Sequence, residues 1–261
     1  MPPGYKGFSS LYSFVLNELW ETSFYEWKLD KKNELEAGQI CQAFVPYMKD
    51  KQYFLNAAKY DPLAEEETLW KLEEVRTRQP VTREFRLQGF DLERNEFFIV
   101  NRAKLRFVVL LKPAGSNWVT PINPMDSKDL WLVLPLFTYK ERHSQKLVLN
   151  DQGLNQEDRF YFPPATEVSN RLNESAALFS FIQPVPSNSI LPITAMCPEK
   201  GMQKGFKVSE FVLKLIIYHY FSNMGIMNPL FGDGQDIKDE YAVFKELVNE
   251  LIESNLKKAT I

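Results

Sequence analysis

Cysteine and histidine are almost missing from these 261 residues, which hold two of each. Cys41 and Cys197 stand far apart, so neither a disulfide framework nor a cysteine metal cluster can be built from them. A metal site would have to rely on carboxylates; no metal and no cofactor is expected. Glycine is sparse, at 11 residues, and neither G-x-G-x-x-G nor G-x-x-x-x-G-K-[ST] occurs. That removes the common nucleotide-binding enzymes. No serine lies in a G-x-S-x-G turn, and neither cysteine carries a local nucleophile signature. Long apolar runs are absent too: the most apolar late stretch, Phe211 to Phe221, is interrupted by Lys214 and His219 and is far short of a membrane span. The N-terminal Met-Pro-Pro-Gly-Tyr-Lys-Gly has no apolar core flanked by basic residues, so no signal peptide is expected. Two unpaired thiols suit a reducing compartment, and the chain reads as cytoplasmic, without a membrane partner.

Aromatic residues, by contrast, are plentiful: 14% of the chain, including 20 Phe and 11 Tyr. The interior should be rich in rings. The hydrophobic share is 44% and the charged share 25%, both ordinary for a globular protein. A net charge of −3 argues against strong, indiscriminate nucleic-acid binding. The charge is uneven, however. Between Arg102 and Lys146 there are eight Lys/Arg against three acids, a net of +5, which leaves −8 for everything else. A local basic groove is therefore compatible with the acidic whole.

That basic stretch contains Asn101 to Lys112 and Leu130 to Lys140, both of strand type and separated by a Pro/Asn/Gly-rich connection. Around them the chain alternates between strand and helix signals. Residues 8–29 begin as a helix, with Leu11, Val15 and Leu19 in register, and Phe24 to Leu29 can turn into a strand. Gly38 precedes a first strand from Ile40, ended by Pro46. Residues 51–80 read as an acidic helix, with Asp61-Pro62 at its start, Leu69, Leu72 and Val75 on one face, and Pro80 as the stop. Thr82 to Phe90, Phe97 to Val100, Lys146 to Asn150 and Arg159 to Phe162 are further strand candidates. Asn170 to Phe181 is a short helix or strand, and 182–205 a loop. Val208 to Met224 and Asp236 to Lys258 carry helical periodicity. Short strands at this spacing predict a small, strongly bent antiparallel β-barrel rather than βαβ units. The fold class expected is α+β: one domain over 1–261, its barrel core near 36–165, with helices in the N-terminal extension 1–35, in the insertion and in the C-terminal part 166–261.

Glu36-Ala-Gly-Gln-Ile-Cys41, Asn101 to Leu111 and Leu132-Val-Leu-Pro-Leu-Phe-Thr138 together resemble the PemK/MazF-like toxin family, SH3-like barrels that cut single-stranded RNA without a metal. The resemblance implies an endoribonuclease or RNA-binding protein of toxin–antitoxin type, with single-stranded RNA, a protein antitoxin and a second copy of the chain as partners. It implies catalytic roles for Arg106, as a bidentate cation on the scissile phosphate, and for Thr138, as a hydrogen-bond donor. RNA brings its own nucleophile, the 2′-OH, so orientation and charge stabilisation suffice. Arg102, Lys104, Arg142, His143 and Lys146 would hold neighbouring phosphates, and Tyr139 would stack on a base.

The sequence departs from the family's pattern in three places. Gly38 is followed by Gln39 rather than Asp, and Arg106 by Phe107 rather than Pro. Pro135-Leu-Phe-Thr138 has one residue more than the family's Pro-Ile-Thr, which turns Thr138 to the other sheet face unless a bulge intervenes. The alternative expectation is a non-catalytic protein-interaction module on the same bent sheet. A third, a metal-dependent nuclease, would require Glu26 and Lys28 on a central strand beside another acid.

Overall fold

The computed structural model describes residues 11–28, 34–46, 53–59, 69–74, 99–100, 103–113, 130–165, 172–197, 201–223 and 235–259. In chain order the elements are α1 (Leu11–Trp20), β1 (Tyr25–Trp27), β2 (Ile40–Pro46), β3 (Tyr53–Lys59), β4 (Leu69–Glu74), β5 (Ile99–Val100), β6 (Ala103–Pro113), β7 (Leu130–Thr138) and α2 (Gln145–Gln152). Then follow β8 (Arg159–Phe162), β9 (Ser175–Leu178), β10 (Gln183–Pro186), β11 (Ile190–Pro192), β12 (Thr194–Cys197), β13 (Met202–Val208), α3 (Glu210–Asn223) and α4 (Gln235–Ala259). The class is α+β, with antiparallel strand pairing. The chain divides into two compact units, one of residues 1–44 and 105–261 and one of residues 45–104.

The smaller unit holds a three-stranded sheet in the order β4-β3-β5. The helix expected over 51–80 is not found at 53–59 and 69–74, which pair as antiparallel strands, Leu55 opposite Leu72 and Ala57 opposite Trp70. Leu69 and Leu72 are three apart, but over so short a window that spacing does not separate helix from strand. Tyr53, Phe54 and Trp70 are residues that favour a pleated surface. The Asp61-Pro62 start and the strand expected over 82–90 lie outside the described residues.

In the larger unit the main sheet runs β11-β2-β6-β7-β9-β8, with β10 also on β7. β9 and β10 pair successively along the same β7, at 136–138 and 130–133, separated by a 3₁₀ turn at Phe179–Phe181. A second 3₁₀ turn, Ser187–Ser189, links β10 to β11, although these strands lie on opposite edges of the order β11-β2-β6-β7-β10. Four flat interstrand gaps span about 19 Å, whereas four steps through a 3₁₀ turn advance about 8 Å. The sheet must therefore curl until its edges approach. No closed barrel is found among the described residues.

Irregularities on both sides of Leu110 help to bend it. Toward β7 the register shifts between Leu110 and Lys112. Toward β2, Gly38 N–H donates to Leu110 O at 2.6 Å and Leu110 N–H donates to Gln39 O at 3.0 Å. With Gly38 at φ +83°, this is the pattern of a bulge that places glycine in the left-handed region and bends the strand. Gly38 O also accepts Val208 N–H at 3.0 Å, and Gln39 bridges Lys207. The second sheet of this unit, β1-β13-β12, is thereby tied to the first.

The loop expected over 182–205 instead contains β10, β11, β12 and the start of β13. Its prolines misdirect the reading: Pro184, Pro186 and Pro192 lie on β10 and β11, edge strands where a missing N–H is tolerated. The strand expected over 146–150 is the helix α2. Ser144 caps it, accepting Leu147 N–H at 3.3 Å, and Gly153 follows its end. Both C-terminal helices form, α3 two residues later than expected because Val208 completes β13.

Rings fill the interior where α1, α4 and β8 meet. Tyr12 packs against Phe24, Phe160, Tyr161 and Phe244 at centroid distances of 5.0–6.4 Å, and its hydroxyl donates to Gln152 O at 2.7 Å. Trp20 stacks on Phe211 at 4.7 Å, joining α1 to α3. His219, buried on α3, donates from Nε2 to Gln156 O at 3.0 Å and accepts the Tyr241 hydroxyl at Nδ1. No helix among the described residues is long and apolar enough to cross a membrane.

Two outcomes are expected. Gly38→Ala places a Cβ 3.2 Å from Val208 O in a backbone conformation that costs a non-glycine residue about 1–2 kcal/mol; the urea midpoint should fall with the slope unchanged. His219 titrates at about 6.5 when unfolded, but burial, with Lys245 adding to it, holds the folded imidazole down to about 4. Between those values only the unfolded chain takes up the proton. The stability it contributes is complete above about pH 6.5 and is lost as pH falls toward 4, by about 3 kcal/mol. Thermal melts of His219→Gln and the parent across pH 4–7 should converge at the acid end.

Candidate functional site

β7 leaves the sheet at Thr138, and the next residues, Tyr139-Lys140-Glu141-Arg142, turn above α2. There they border a cavity of about 420 Å³ lined by Thr138, Tyr139, Lys140, Glu141, Arg142, Asn173 and Glu174. The turn is held by its own backbone. His143 N–H donates to Lys140 O at 2.9 Å, and Lys140 N–H donates back to His143 Nδ1 at 2.8 Å. An accepting Nδ1 places the ring proton on Nε2. Desolvation, then the Arg142 and Lys140 cations, push the His143 pKa below its ordinary value.

Beneath the cationic rim lie two buried acids, each gripped by a tyrosine. Tyr139 donates to Asp151 Oδ2 at 2.6 Å, and Arg159 Nη1 lies 3.6 Å from the same oxygen. Tyr161 donates to Glu174 Oε1 at 2.5 Å. The Tyr139 and Tyr161 rings stack at 6.4 Å with 26° between planes, and His143 meets Tyr139 edge-on. Burial raises the Asp151 pKa against the opposing pull of the Tyr139 hydroxyl and Arg159, and raises that of Glu174 against Tyr161. Asp151 Oδ1 and both polar atoms of the Gln152 side chain have no hydrogen-bond partner among the described residues.

Of the residues expected at a site, Thr138, Tyr139 and Arg142 are brought together on this cavity, and His143 packs behind Tyr139. Lys146 is exposed on α2 and Lys104 is exposed on β6; Arg102 lies outside the described residues. Arg106 is elsewhere. Its guanidinium sits 4.2 Å from the centre of the Phe137 ring, and it is not among the lining residues. The pairing of 136–138 with 175–177 is unbroken, so no bulge intervenes before Thr138. Phe137 and Thr138 therefore point to opposite faces. Thr138 Oγ1 lies 3.5 Å from Ser175 Oγ, and Arg106 shares the face of Phe137. The structure does not bring Arg106 and Thr138 into one groove.

Glu26 and Lys28 do not form the constellation a metal-dependent nuclease needs. β1 is an edge strand, Glu26 pairs with Lys207 at 3.2 Å, and Lys28 is buried against Gln39 and the Glu34 carbonyl. No group of three His, Cys, Asp or Glu side chains among the described residues is placed to hold a metal ion. Cys41 is no nucleophile either: burial pushes its thiol up to about 12.

Sequence reasoning missed Asp151, Glu174, Arg159 and Tyr161. Asp151-Gln-Gly reads as a turn, and Glu174 falls in the short helix or strand expected over 170–181; nothing in the composition marks a carboxylate that will be buried beside a tyrosine. Tyr139→Phe should show the coupling. Removing the hydroxyl leaves the Asp151 carboxylate short of a donor, at about 1–3 kcal/mol. Without that hydroxyl the Asp151 pKa rises further, so the loss should be largest at neutral pH and shrink as the carboxyl protonates. Urea unfolding at pH 4.5 and 7.5 measures this.

No family model, curated protein or solved structure matches this chain.

Proposed function

We propose that the chain binds single-stranded RNA at the Tyr139 cavity, on an SH3-like barrel of the PemK/MazF type, and that binding rather than cleavage is its primary act. The observation that carries this reading is the cavity itself. Tyr139, the cations Lys140 and Arg142, the acids Glu141 and Glu174, and the polar groups of Thr138 and Asn173 line one opening. Among these are the components of single-strand recognition: a ring for a base, cations for phosphates, and hydrogen-bonding groups for edges or sugars. The fold gives independent support. A five-strand order in which the last strand, β11, returns by a 3₁₀ turn to pair with the first, β2, suits an SH3-like barrel. Arg106 lies over Phe137, on the face of β7 opposite to that of Thr138, which disfavours the catalytic pair, so a metal-independent endoribonuclease would need other residues.

A second reading, a protein-interaction module, rests on one surface feature. Phe44 and Leu191 are 58% and 48% exposed on the paired strands β2 and β11. Leu191 is opposite Gln42, so Leu191 and Phe44 share a face. Such a patch suits a protein antitoxin or a second copy of the chain.

Fluorescence anisotropy with labelled oligouridine, run across a salt series in EDTA, tests the RNA reading. The parent should bind, and Lys140→Ala with Arg142→Ala should lower the magnitude of the slope of log K on log salt by about 0.7 for each phosphate no longer neutralised. Absence of binding, or a slope indifferent to the substitutions, would overturn it in favour of the interaction module. Cleavage of the same RNA in EDTA, abolished by Arg106→Ala, would restore the catalytic reading.

A further inference from the structure

We infer that Glu174 reads the Watson–Crick edge of a guanine base held in the cavity. The inference rests on the RNA-binding reading and deepens it to a base preference. Glu174 is only 7% exposed, yet it lines the opening. Its backbone is fixed, since its carbonyl accepts Tyr139 N–H at 3.1 Å. Its side chain is fixed as well, through Tyr161 on Oε1. Among the described residues one hydrogen bond reaches this carboxylate, which has about four acceptor sites, and a buried carboxylate is stabilised by every further donor it gains. The residue thus lines the opening and carries an oriented, acceptor-rich group.

The ligand that answers it must present adjacent N–H donors on a flat edge. Among the four RNA bases only guanine does so, through N1–H and the N2 amino group. Uracil offers one N–H between two carbonyls, which a carboxylate repels. Adenine and cytosine each offer an amino group beside an acceptor nitrogen. With the base edge on Glu174, the ring would lie against Tyr139 and the flanking phosphates would meet Lys140 and Arg142, so each of these groups has a distinct role.

The test uses the full chain and fluorescein-labelled RNA octamers of uridine carrying one central guanosine, adenosine, cytidine or inosine, beside all-uridine RNA. The guanosine octamer should bind about tenfold tighter than the uridine, adenosine and cytidine ones, the discrimination of one good bidentate pair. Inosine lacks the N2 amino group and should lose most of that margin, as should guanosine RNA on Glu174→Gln. Should Glu174→Gln fail to fold, the inosine comparison on the unaltered chain decides by itself. Equal binding of all octamers would overturn the base preference and leave RNA binding intact. A guanosine preference that inosine shares in full, or that survives Glu174→Gln, would overturn the role of Glu174. Failure of every octamer to bind would overturn the RNA reading and this inference together.

Discussion

Two consecutive residues, Gly38 and Gln39, hold the larger unit together. Gly38 donates to β6 through Leu110 O, accepts from β13 through Val208 N–H, and does so at a φ of +83°. Gln39 accepts from Leu110 and bridges Lys207, while its side chain sits beside the buried Lys28 ammonium at 3.4 Å. Both sheets therefore share one point. The geometry favours glycine at the first position, because the φ is left-handed and a Cβ there would crowd Val208 at both its carbonyl and its side chain. From that point β2 runs on beside β6, β6 beside β7, and β7 ends at the cavity. The bend imposed at Leu110 sets the course of β7, and hence where Thr138 and Tyr139 emerge.

The cavity inverts the electrostatics that composition implies. The stretch 102–146 carries a net +5, which alone describes a cationic surface. Among the described residues, Lys140 and Arg142 of that set line the opening, and they do so beside the acids Glu141 and Glu174. Asp151 and Glu174 would cost far more to bury as bare carboxylates than an exposed cation pair could offset through solvent. They persist because Tyr139 and Tyr161 donate hydrogen bonds at short range and the Arg159 guanidinium lies 3.6 Å from Asp151. Tyr139 both lines the cavity and donates to Asp151, so the cavity wall and the burial of that acid share one ring.

Much of this organisation was legible in the sequence where a residue's local chemistry agrees with its tertiary setting. Gly38 before an apolar run marked β2, the Arg159-Phe-Tyr-Phe run marked β8, and the periodicity after Val208 and Asp236 marked α3 and α4. It failed where tertiary context overrides local pattern. Edge strands accept the prolines that made 182–205 look like a loop. Lys146-Leu-Val-Leu carries no clear period, and only the capping of Ser144 and Gly153 distinguishes it as helix. Thr138, Tyr139 and Arg142 were named through the resemblance to the toxin family, and the fold places all three on the cavity. Asp151 and Glu174 were not, because acids in polar segments are normally solvated.

The separation of Arg106 from Thr138 turns on a single residue. In a pleated strand a shift of one position exchanges faces, and Pro135-Leu-Phe-Thr138 is one residue longer than the motif it resembles. A bulge could have absorbed the difference, and β6 has one, but it lies at Leu110 to Lys112, beside the other half of β7. From Leu136 to Thr138 the register against β9 is regular. Arg106 consequently meets the ring of Phe137, where a cation over an aromatic face is favourable, and Thr138 turns toward Ser175 and the cavity. The extra residue thus separates the two groups a phosphate-cleaving pair would need. It also brings Thr138 beside Tyr139, Arg142 and Glu174 on one cavity.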